Sequence, residues 1–364
     1  MIIVRINPMK RALMIAAVTA LSTNELAAQA SMEDNGGVND TPLTERWAPS
    51  EFGKDDKIGA VNRTTPDLVL RAARLVKQGK VATLGKIYAS DMPLYGARGW
   101  NFRIENFPPA RAWGSLRGAN LDDHLSASIG QIGTQFDGPG HIGVLTSKGY
   151  VFYNGRQLTD PGISKDGLGP LGVEHVAQKG FVCRGVLLDA VALRGGTLPI
   201  PSNVGINDPG VISPADIDEM VRRQKIAPIQ EGDCVFLHTG HGNLWDPKRW
   251  DSFSTEEKAR RSKEFQAGEP GFGISACRYL AERKVILTGA DTWSVESFTR
   301  KSEGEKGALI ECHIELQAKH GIWNLENLDL TQLVTDKVYE FLFVWSPLKI
   351  KGGTGSPANP VAIY

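Results

Sequence analysis

The 364-residue chain lacks an excess of charge of either sign. Its 41 lysine and arginine residues balance 41 aspartate and glutamate residues, so the formal net charge at pH 7 is zero. Proteins that bind nucleic acid or an anionic membrane surface usually carry a basic region, and this composition gives no sign of one. We therefore expect a small-molecule substrate as the partner, with neither nucleic acid nor membrane.

Several catalytic motifs are also missing. The sequence contains neither the G-x-S-x-G motif of serine hydrolases nor the H-E-x-x-H motif of zinc proteases. A G-x-G-x-x-G pattern occurs at residues 167–172. No predicted strand precedes it and Pro170 interrupts any helix start, so we do not expect dinucleotide binding.

Cysteine is scarce and widely spaced. The four cysteines are Cys183, Cys234, Cys277 and Cys312. They form no C-x-x-C pair, which argues against a redox pair or a cysteine zinc knuckle. Because most of them lie in apolar surroundings, we predict buried free thiols. Disulfides would be permitted if the protein is exported to an oxidising compartment.

The N-terminus has the features of an export signal. Lys10 and Arg11 precede an apolar run at residues 12–21, and Ala28-Gln29-Ala30 supplies a small-x-small cleavage pattern. The run is too short to span a bilayer comfortably. We predict a signal peptide over residues 1–30, a flexible lead over 31–44, a folded domain over 45–364, and a periplasmic or secreted protein.

Strand-like and helical patterns alternate along the folded part. Apolar runs rich in valine, leucine and phenylalanine predict buried strands at residues 186–191, 234–239, 285–288 and 339–345. Helical spacing or capping residues predict helices at 66–78 and 215–225. A third helix is predicted to follow Ser275, as its N-terminal cap, and to continue to Arg283. The fold class is therefore α/β.

Residues 131–141 concentrate polar side chains among glycines and a proline. Gln131, Gln135 and Asp137 differ by even numbers, so an extended segment would turn all three to one side. His141 follows four residues later. The segment indicates metal binding or acid/base chemistry.

Two later segments carry the remaining chemistry. Helical spacing over residues 306–320 places His313 and His320 on the apolar face and Glu315 elsewhere. Glu326 interrupts an apolar run at 322–328, where a carboxylate is costly to bury without a cation or donors.

Taken together, these residues form a set that hard divalent metals accept. Its members are Asp137, His141, His313 and Glu326. Three of them have an ordinary structural explanation when taken alone. Asp137 could cap a turn beside Gly138, His313 could be a packed core histidine, and Glu326 could pair with a buried arginine. The inference of a metal site therefore depends on the combination.

At this point the sequence resembles the cyclase family, which includes bacterial kynurenine formamidase and isatin hydrolase. Residues 133–141 (GTQFDGPGH) are similar to its H-x-G-T-H-x-D-x-P-x-H signature, and residues 325–328 (LENL) and 348–357 to two later segments. The resemblance runs from about Trp47 to the C-terminus. It implies a swivelling β/β/α fold with a mixed sheet flanked by helices, and a homo-oligomer (a dimer or a dimer of dimers) in which a neighbour's N-terminal region helps close each pocket.

The resemblance also implies roles for individual residues. Asp137, His313 and Glu326 correspond to metal ligands, and His141 to the acid/base. Gln131 and Gln135 stand where the family has two histidine ligands. Because a carboxamide oxygen is a weaker donor than imidazole, we expect one divalent ion, manganese or zinc, rather than two.

The function implied is metal-dependent hydrolysis of an amide, cyclic imide, N-formyl group or lactone. The ion would lower the pKa of a bound water and polarise the carbonyl, and His141 would take the proton of the water and pass it to the leaving group. Two alternatives stay open. One is a metal-free periplasmic binding protein, and the other is a lyase or dehydratase that uses the same pocket.

Other residues are candidates for substrate contact. His238 and His241 follow a predicted strand, on a loop near the carboxyl ends of the sheet where ligands commonly bind; plain loop structure is an equal alternative. Trp293 is a possible substrate-facing aromatic or a core residue. Trp100, Phe107 and Trp113 are candidates for a lid over the pocket, with ordinary loop packing as the alternative.

Overall fold

The computed structural model describes residues 37–202, 207–246, 248–299 and 310–364. The predicted signal peptide lies outside the described residues, as does the lead up to residue 36. The described end of that lead forms a short helix and contacts the domain, since the amide of Asn39 donates to the carbonyl of Leu145 at 2.8 Å.

Seventeen strands are found among the described residues. They are β1 (Val81–Thr83), β2 (Trp100–Glu105), β3 (Asp122–Ala127), β4 (Gln135–Asp137), β5 (Val144–Thr146), β6 (Gly149–Val151), β7 (Phe181–Asp189), β8 (Val211–Ile212), β9 (Cys234–His238), β10 (Gly268–Glu269), β11 (Gly271–Phe272), β12 (Leu287–Ala290), β13 (Phe298–Thr299), β14 (Trp323–Glu326), β15 (Glu340–Trp345), β16 (Gly355–Pro357) and β17 (Val361–Ile363).

Helices connect and cover the strands. They are α1 (Thr41–Thr44), α2 (Pro66–Ala73), α3 (Ala190–Arg194), α4 (Pro214–Gln224), α5 (Thr255–Phe265), α6 (Ile274–Glu282), α7 (Glu311–His313), a π-helix (Ile314–Lys319) and α8 (Thr331–Thr335). Each helix of the described residues is too short or too polar to cross a membrane.

Nine strands form one mixed sheet in the order β1-β17-β15-β7-β9-β12-β14-β4-β16. Strands β7, β9, β12 and β14 are parallel neighbours, whereas β4 pairs antiparallel with β14. Helix α2 packs on β7 and β15, and α4 packs on β7. The prediction of an α/β fold with a mixed sheet flanked by helices is confirmed.

The central strands are buried because apolar side chains cover both faces. Every residue of β9 and β12 is buried, and so are all but one residue of β7. The predicted strand at 186–191 begins earlier, at Phe181, and ends at Asp189, whose side chain caps α3. Continuous apolar runs thus predict the centre of the sheet correctly, while the capping residue Asp189 sets the end of β7.

The helix predictions hold with shifted ends. Thr65 caps α2, and Ser213 forms a capping box with Asp216 at the start of α4. The predicted cap at Ser275 is wrong, because Gly273 precedes α6 and its carbonyl accepts the amides of Ala276 and Cys277.

The prediction of free thiols is also wrong. Cys183 bonds to Cys234, and Cys277 bonds to Cys312. The first pair joins β7 to its neighbour β9, and the second joins α6 to α7. Apolar surroundings indicate burial but not the partner, because pairing depends on which elements become neighbours in the fold.

Candidate functional site

The site begins with two antiparallel strands that meet in register. In the pairing of β4 with β14, Asp137 lies opposite Asn324 and Gln135 lies opposite Glu326. Side chains alternate along a strand, so residues two apart face the same side. The register therefore brings Gln135 and Asp137 to the side chain of Glu326.

A set of hydrogen bonds locks these strands where β14 ends. Thr134 Oγ1 donates to the carbonyl of Asn327 at 2.8 Å, and Asn327 Nδ2 donates to the carbonyl of Gly133 at 2.7 Å. Gly133 has φ +64°, and the ring of Tyr88 occupies the space where a side chain would begin. The glycine in the signature is therefore required by both backbone conformation and packing.

Asp137, His313 and Glu326 converge as the sequence predicts. One ligand atom of each lies within 4.8 Å of the others, and all three side chains are buried. His313 Nε2 is 3.2 Å from Glu326 Oε1 and 3.5 Å from Asp137 Oδ2. Two carboxylates and an imidazole so arranged can hold a divalent cation.

Three glutamines surround this group. Gln131 Nε2 donates to Asp137 at 3.2 Å, Gln135 Nε2 donates to Glu326 at 2.6 Å, and Gln317 Nε2 is 3.4 Å from Asp137 Oδ2. Their carboxamide oxygens are buried and have no hydrogen-bond partner among the described residues. Unsatisfied buried acceptors are costly, and a cation would satisfy them.

His141 lies at the edge of the group. Its Nε2 is 3.6 Å from Asp137 Oδ2, and its side chain is 18% exposed, whereas that of Asp137 is fully buried. Burial lowers the pKa of His141 below its usual value, although the charge of Asp137 opposes this effect. A neutral imidazole that solvent can reach is suited to accept a proton.

The buried carboxylates have opposite pKa shifts. Burial alone would raise the pKa of Asp137, but the charge of His141 and the hydrogen bond from His313 hold it well below its usual value. Burial and the negative charge of Asp137 raise the pKa of Glu326 well above its usual value. Burial alone would lower the pKa of His313, but the charge of Glu296 and the hydrogen bonds to Asp137 and Glu326 raise it well above its usual value. The carboxylates thus attract positive charge to this point, as expected of a cation site.

Sequence reasoning missed Gln317 and Glu296. Residues 314–319 form a π-helix, whose wider turn shifts the buried face away from α-helical spacing. Gln317 is consequently buried, and His320 is half exposed and pairs with Glu315 at 3.3 Å rather than lying on the apolar face. Glu296 contacts His313 Nδ1. A carboxylate in the loop after a buried strand was the signal that could have indicated it.

His238 and His241 have partners outside this group. His238 Nδ1 is 3.0 Å from Asp189 Oδ1, and His241 Nε2 is 3.3 Å from the carbonyl of Phe265. Both histidines are buried. Among the described residues, neither imidazole forms a hydrogen bond or an ion pair with Asp137, His313 or Glu326. The predicted role of the two histidines in substrate binding stays a prediction.

Trp293 lies in the loop between β12 and Glu296. The ring of Tyr95 stacks on it at 4.1 Å, and the guanidinium of Arg98 is 5.0 Å from its centroid. Its indole Nε1 is buried and has no hydrogen-bond partner among the described residues. Trp293 is therefore packed against aromatic neighbours, with one donor left for a further group.

The proposed lid residues are found on a protruding hairpin. Within the described part of the chain, strands β2 and β3 pair only with each other, and Phe102 lies opposite Leu125. Phe107 and Trp113, in the connection between the strands, are exposed, whereas Trp100 at the base stacks on Phe102. The hairpin thus presents apolar side chains to its surroundings.

With this geometry established, comparison with known proteins identifies the family. The family model described as "Putative cyclase" matches residues 64–297, more than half of the chain. The chain belongs to the cyclase family. The matched range includes the signature at residues 131–141 and Glu296, and ends before His313 and Glu326. A comparison with curated protein sequences gives no match.

Solved structures share the fold. A crystal structure described as that of a novel cyclase is 26% identical, with a TM-score of 0.72, and the match covers 90% of this chain and 100% of that one. Isatin hydrolase A from Labrenzia aggregata, bound to benzyl benzoate, is 20% identical with a TM-score of 0.51, covering 78% of this chain and 93% of its own. Isatin hydrolase A from Ralstonia solanacearum is also 20% identical with a TM-score of 0.51, and the match covers 82% of this chain and 98% of that one.

Proposed function

We propose that this protein is a metal-dependent hydrolase of an amide, cyclic imide, N-formyl or lactone carbonyl. The observation that carries the proposal is the buried convergence of Asp137, His313 and Glu326 within 4.8 Å of one another. Membership of the cyclase family supports it, because similar folds include isatin hydrolases.

The residues present fit one divalent ion. Asp137, His313 and Glu326 would hold it, and the unsatisfied oxygens of Gln131 and Gln135 would complete an oxygen-rich set. Such a donor set favours harder ions, so the affinity for manganese increases relative to that for zinc when carboxamides replace imidazoles. When bound, the ion would supply Lewis acidity and a more acidic water.

The proton chemistry belongs to His141. Its lowered pKa leaves the imidazole neutral near pH 7, so that it can take a proton from the attacking water and return it to the leaving group. Asp137, 3.6 Å away, stabilises the imidazolium that forms in between. A separate acid is not needed for this sequence of steps.

The test combines metal analysis with substrate assays. We expect purified protein to contain about one manganese or zinc per chain, and chelation to abolish cleavage of N-formyl amides, cyclic imides or lactones. Full turnover by the chelated, metal-free protein would contradict the proposal. Incorporation of oxygen-18 from labelled water into the product distinguishes hydrolysis from a lyase or dehydratase reaction.

A second candidate is a metal-free binding protein. The 2.6 Å hydrogen bond from Gln135 to Glu326 favours it, because a carboxylate that already has a donor has less need of a cation. The absence of bound metal after purification and of added-metal binding, together with tight binding of an intact carbonyl compound, would select this function.

The cellular setting and assembly are further proposals. Export to a periplasm or to the medium is supported by the two disulfides, since such bonds persist in oxidising compartments. A homo-oligomer, dimer or dimer of dimers, is supported by the exposed apolar side chains of the β2–β3 hairpin, such as Phe102 and Ile104.

A further inference from the structure

We propose that Glu296 positions His313 for metal binding by fixing which ring nitrogen carries the proton. The inference rests on the proposed metal site and adds a residue that does not itself contact the ion. Its basis is a carboxylate on one side of an imidazole whose other nitrogen lies among the metal-binding side chains.

The contacts of His313 point to one tautomer for metal binding. Its Nδ1 contacts Glu296 Oε1, while Nε2 is 3.2 Å from Glu326 Oε1 and 3.5 Å from Asp137 Oδ2. A proton held on Nδ1 leaves the lone pair on Nε2, which is the atom directed at the site. A carboxylate in this position also makes the imidazole a stronger ligand.

Glu296 is itself held in two ways. Its Oε2 accepts the backbone amide of Cys312 at 2.9 Å, so the carboxylate is tied to the same short helix as His313. The amide of Glu296 donates to the carbonyl of Ser294 at 2.6 Å, closing a three-residue turn around Val295, whose φ is +62°. A β-branched residue in that region is uncommon and indicates a conformation imposed by its surroundings.

The burial of Glu296 separates this role from a purely structural one. The side chain is 4% exposed, and among the described residues its one ion-pair partner is His313. Capping the amide of Cys312 needs only one acceptor oxygen, which a glutamine also provides. Fixing the imidazole needs the second oxygen and its charge.

The first experiment compares metal affinity. We expect Glu296→Gln to weaken Mn²⁺ binding roughly 10- to 100-fold, the range found when a partner of a metal-bound histidine is lost, as measured by electron paramagnetic resonance of free Mn²⁺. Glu296→Asp should lie between this variant and the original protein. Glu311→Gln is the matched control, because it removes the same charge one residue before Cys312 from an exposed side chain that forms no hydrogen bond with the imidazole of His313.

The second experiment needs no variant. In the zinc-loaded protein with ¹⁵N-labelled histidine, we expect His313 to carry its proton on Nδ1 and to bind the metal through Nε2. Coordination through Nδ1 would overturn the proposal, as would unchanged affinity in folded Glu296→Gln, even with lower stability. Failure of the original protein to bind any metal would instead refute the proposed function, and this inference with it.

Discussion

Asp137 and His141 are neighbours with different exposures, and this difference supports the separate roles proposed for them. Asp137 is fully buried at the centre of the group, whereas His141 is 18% exposed at its edge, 3.6 Å away. A ligand must be fixed and desolvated, while an acid/base must exchange protons with water. Substitution at the two positions should therefore have separable effects.

We expect His141→Ala to lower kcat by roughly 10²- to 10⁴-fold, the usual contribution of a general acid/base, while metal content stays near one per chain. Asp137→Asn should lower both metal content and kcat. Metal analysis and steady-state kinetics on the same preparations check this. Loss of metal from the His141 variant would show that His141 is a ligand instead.

His238 gives a pH-dependent contribution to stability. Burial alone would lower the pKa of His238, but the hydrogen bond to Asp189 and the charge of Asp291 raise it above its usual value. A raised pKa in the folded state means that the stabilisation is complete below the unfolded value, near 6.5, and is lost as the pH rises through the folded value.

Accordingly, His238→Gln should cost about 1.5–3 kcal/mol at pH 6, the range for a hydrogen bond to a charged group, and less at pH 9. Urea unfolding at the two pH values measures the difference. An equal loss of unfolding free energy at the two pH values would show that His238 contributes by packing rather than by its charge.

At the scale of elements, the predictable parts are those specified by local pattern. Continuous apolar runs predict the central strands, and even spacing correctly places Gln135 and Asp137 on one side of β4. The same prediction is wrong for Gln131, which lies outside β4 because Gly133, with φ +64°, interrupts the extended segment. The placement of Gln317 was not predictable, because the π-helix departs from α-helical spacing. Glu296 reaches His313 through a turn around a residue with positive φ, for which the sequence has no glycine as a signal.

The disulfide between Cys277 and Cys312 supports the element that carries His313. It ties α7 to α6 immediately before that histidine, across a separation of 35 residues. We expect Cys277→Ser with Cys312→Ser to lower the free energy of unfolding by about 3–4 kcal/mol and to weaken metal binding.

The matched control is Cys183→Ser with Cys234→Ser, which removes the bond between β7 and β9, whose cysteines are 51 positions apart. This double variant should lower the free energy of unfolding by a similar amount. Its metal affinity should change little when measured at a temperature where both double variants are folded. Equal loss of affinity in the two double variants would indicate a general effect of destabilisation.

At the scale of the whole molecule, the metal should stabilise the fold. A ligand at 1,000 times its dissociation constant adds about 4 kcal/mol to the free energy of unfolding when it binds only the folded state. Saturating Mn²⁺ should thus raise the midpoint of thermal unfolding, and chelation should lower it. Asp137→Asn should lose this response, and an unchanged response there would place the ion elsewhere.

The β2–β3 hairpin should carry the contact between subunits. Phe102 and Leu125 are cross-strand neighbours and both are exposed in the single chain. We expect Phe102→Glu with Leu125→Glu to convert an oligomer to a monomer, measured by light scattering after size-exclusion chromatography. A monomeric original protein, or an unaltered mass in the variant, would refute this assignment.

The two carboxylates of the site come from distant parts of the chain, Asp137 in β4 and Glu326 in β14. Gln135 and Glu326, which are hydrogen-bonded to each other, are 191 positions apart, and β14 lies between β4 and the parallel strand β12. Closing a loop of this length costs conformational entropy before the contact forms. A fragment that ends before β14 therefore lacks a ligand of the proposed ion, and uptake of the cation would report that β14 has paired with β4.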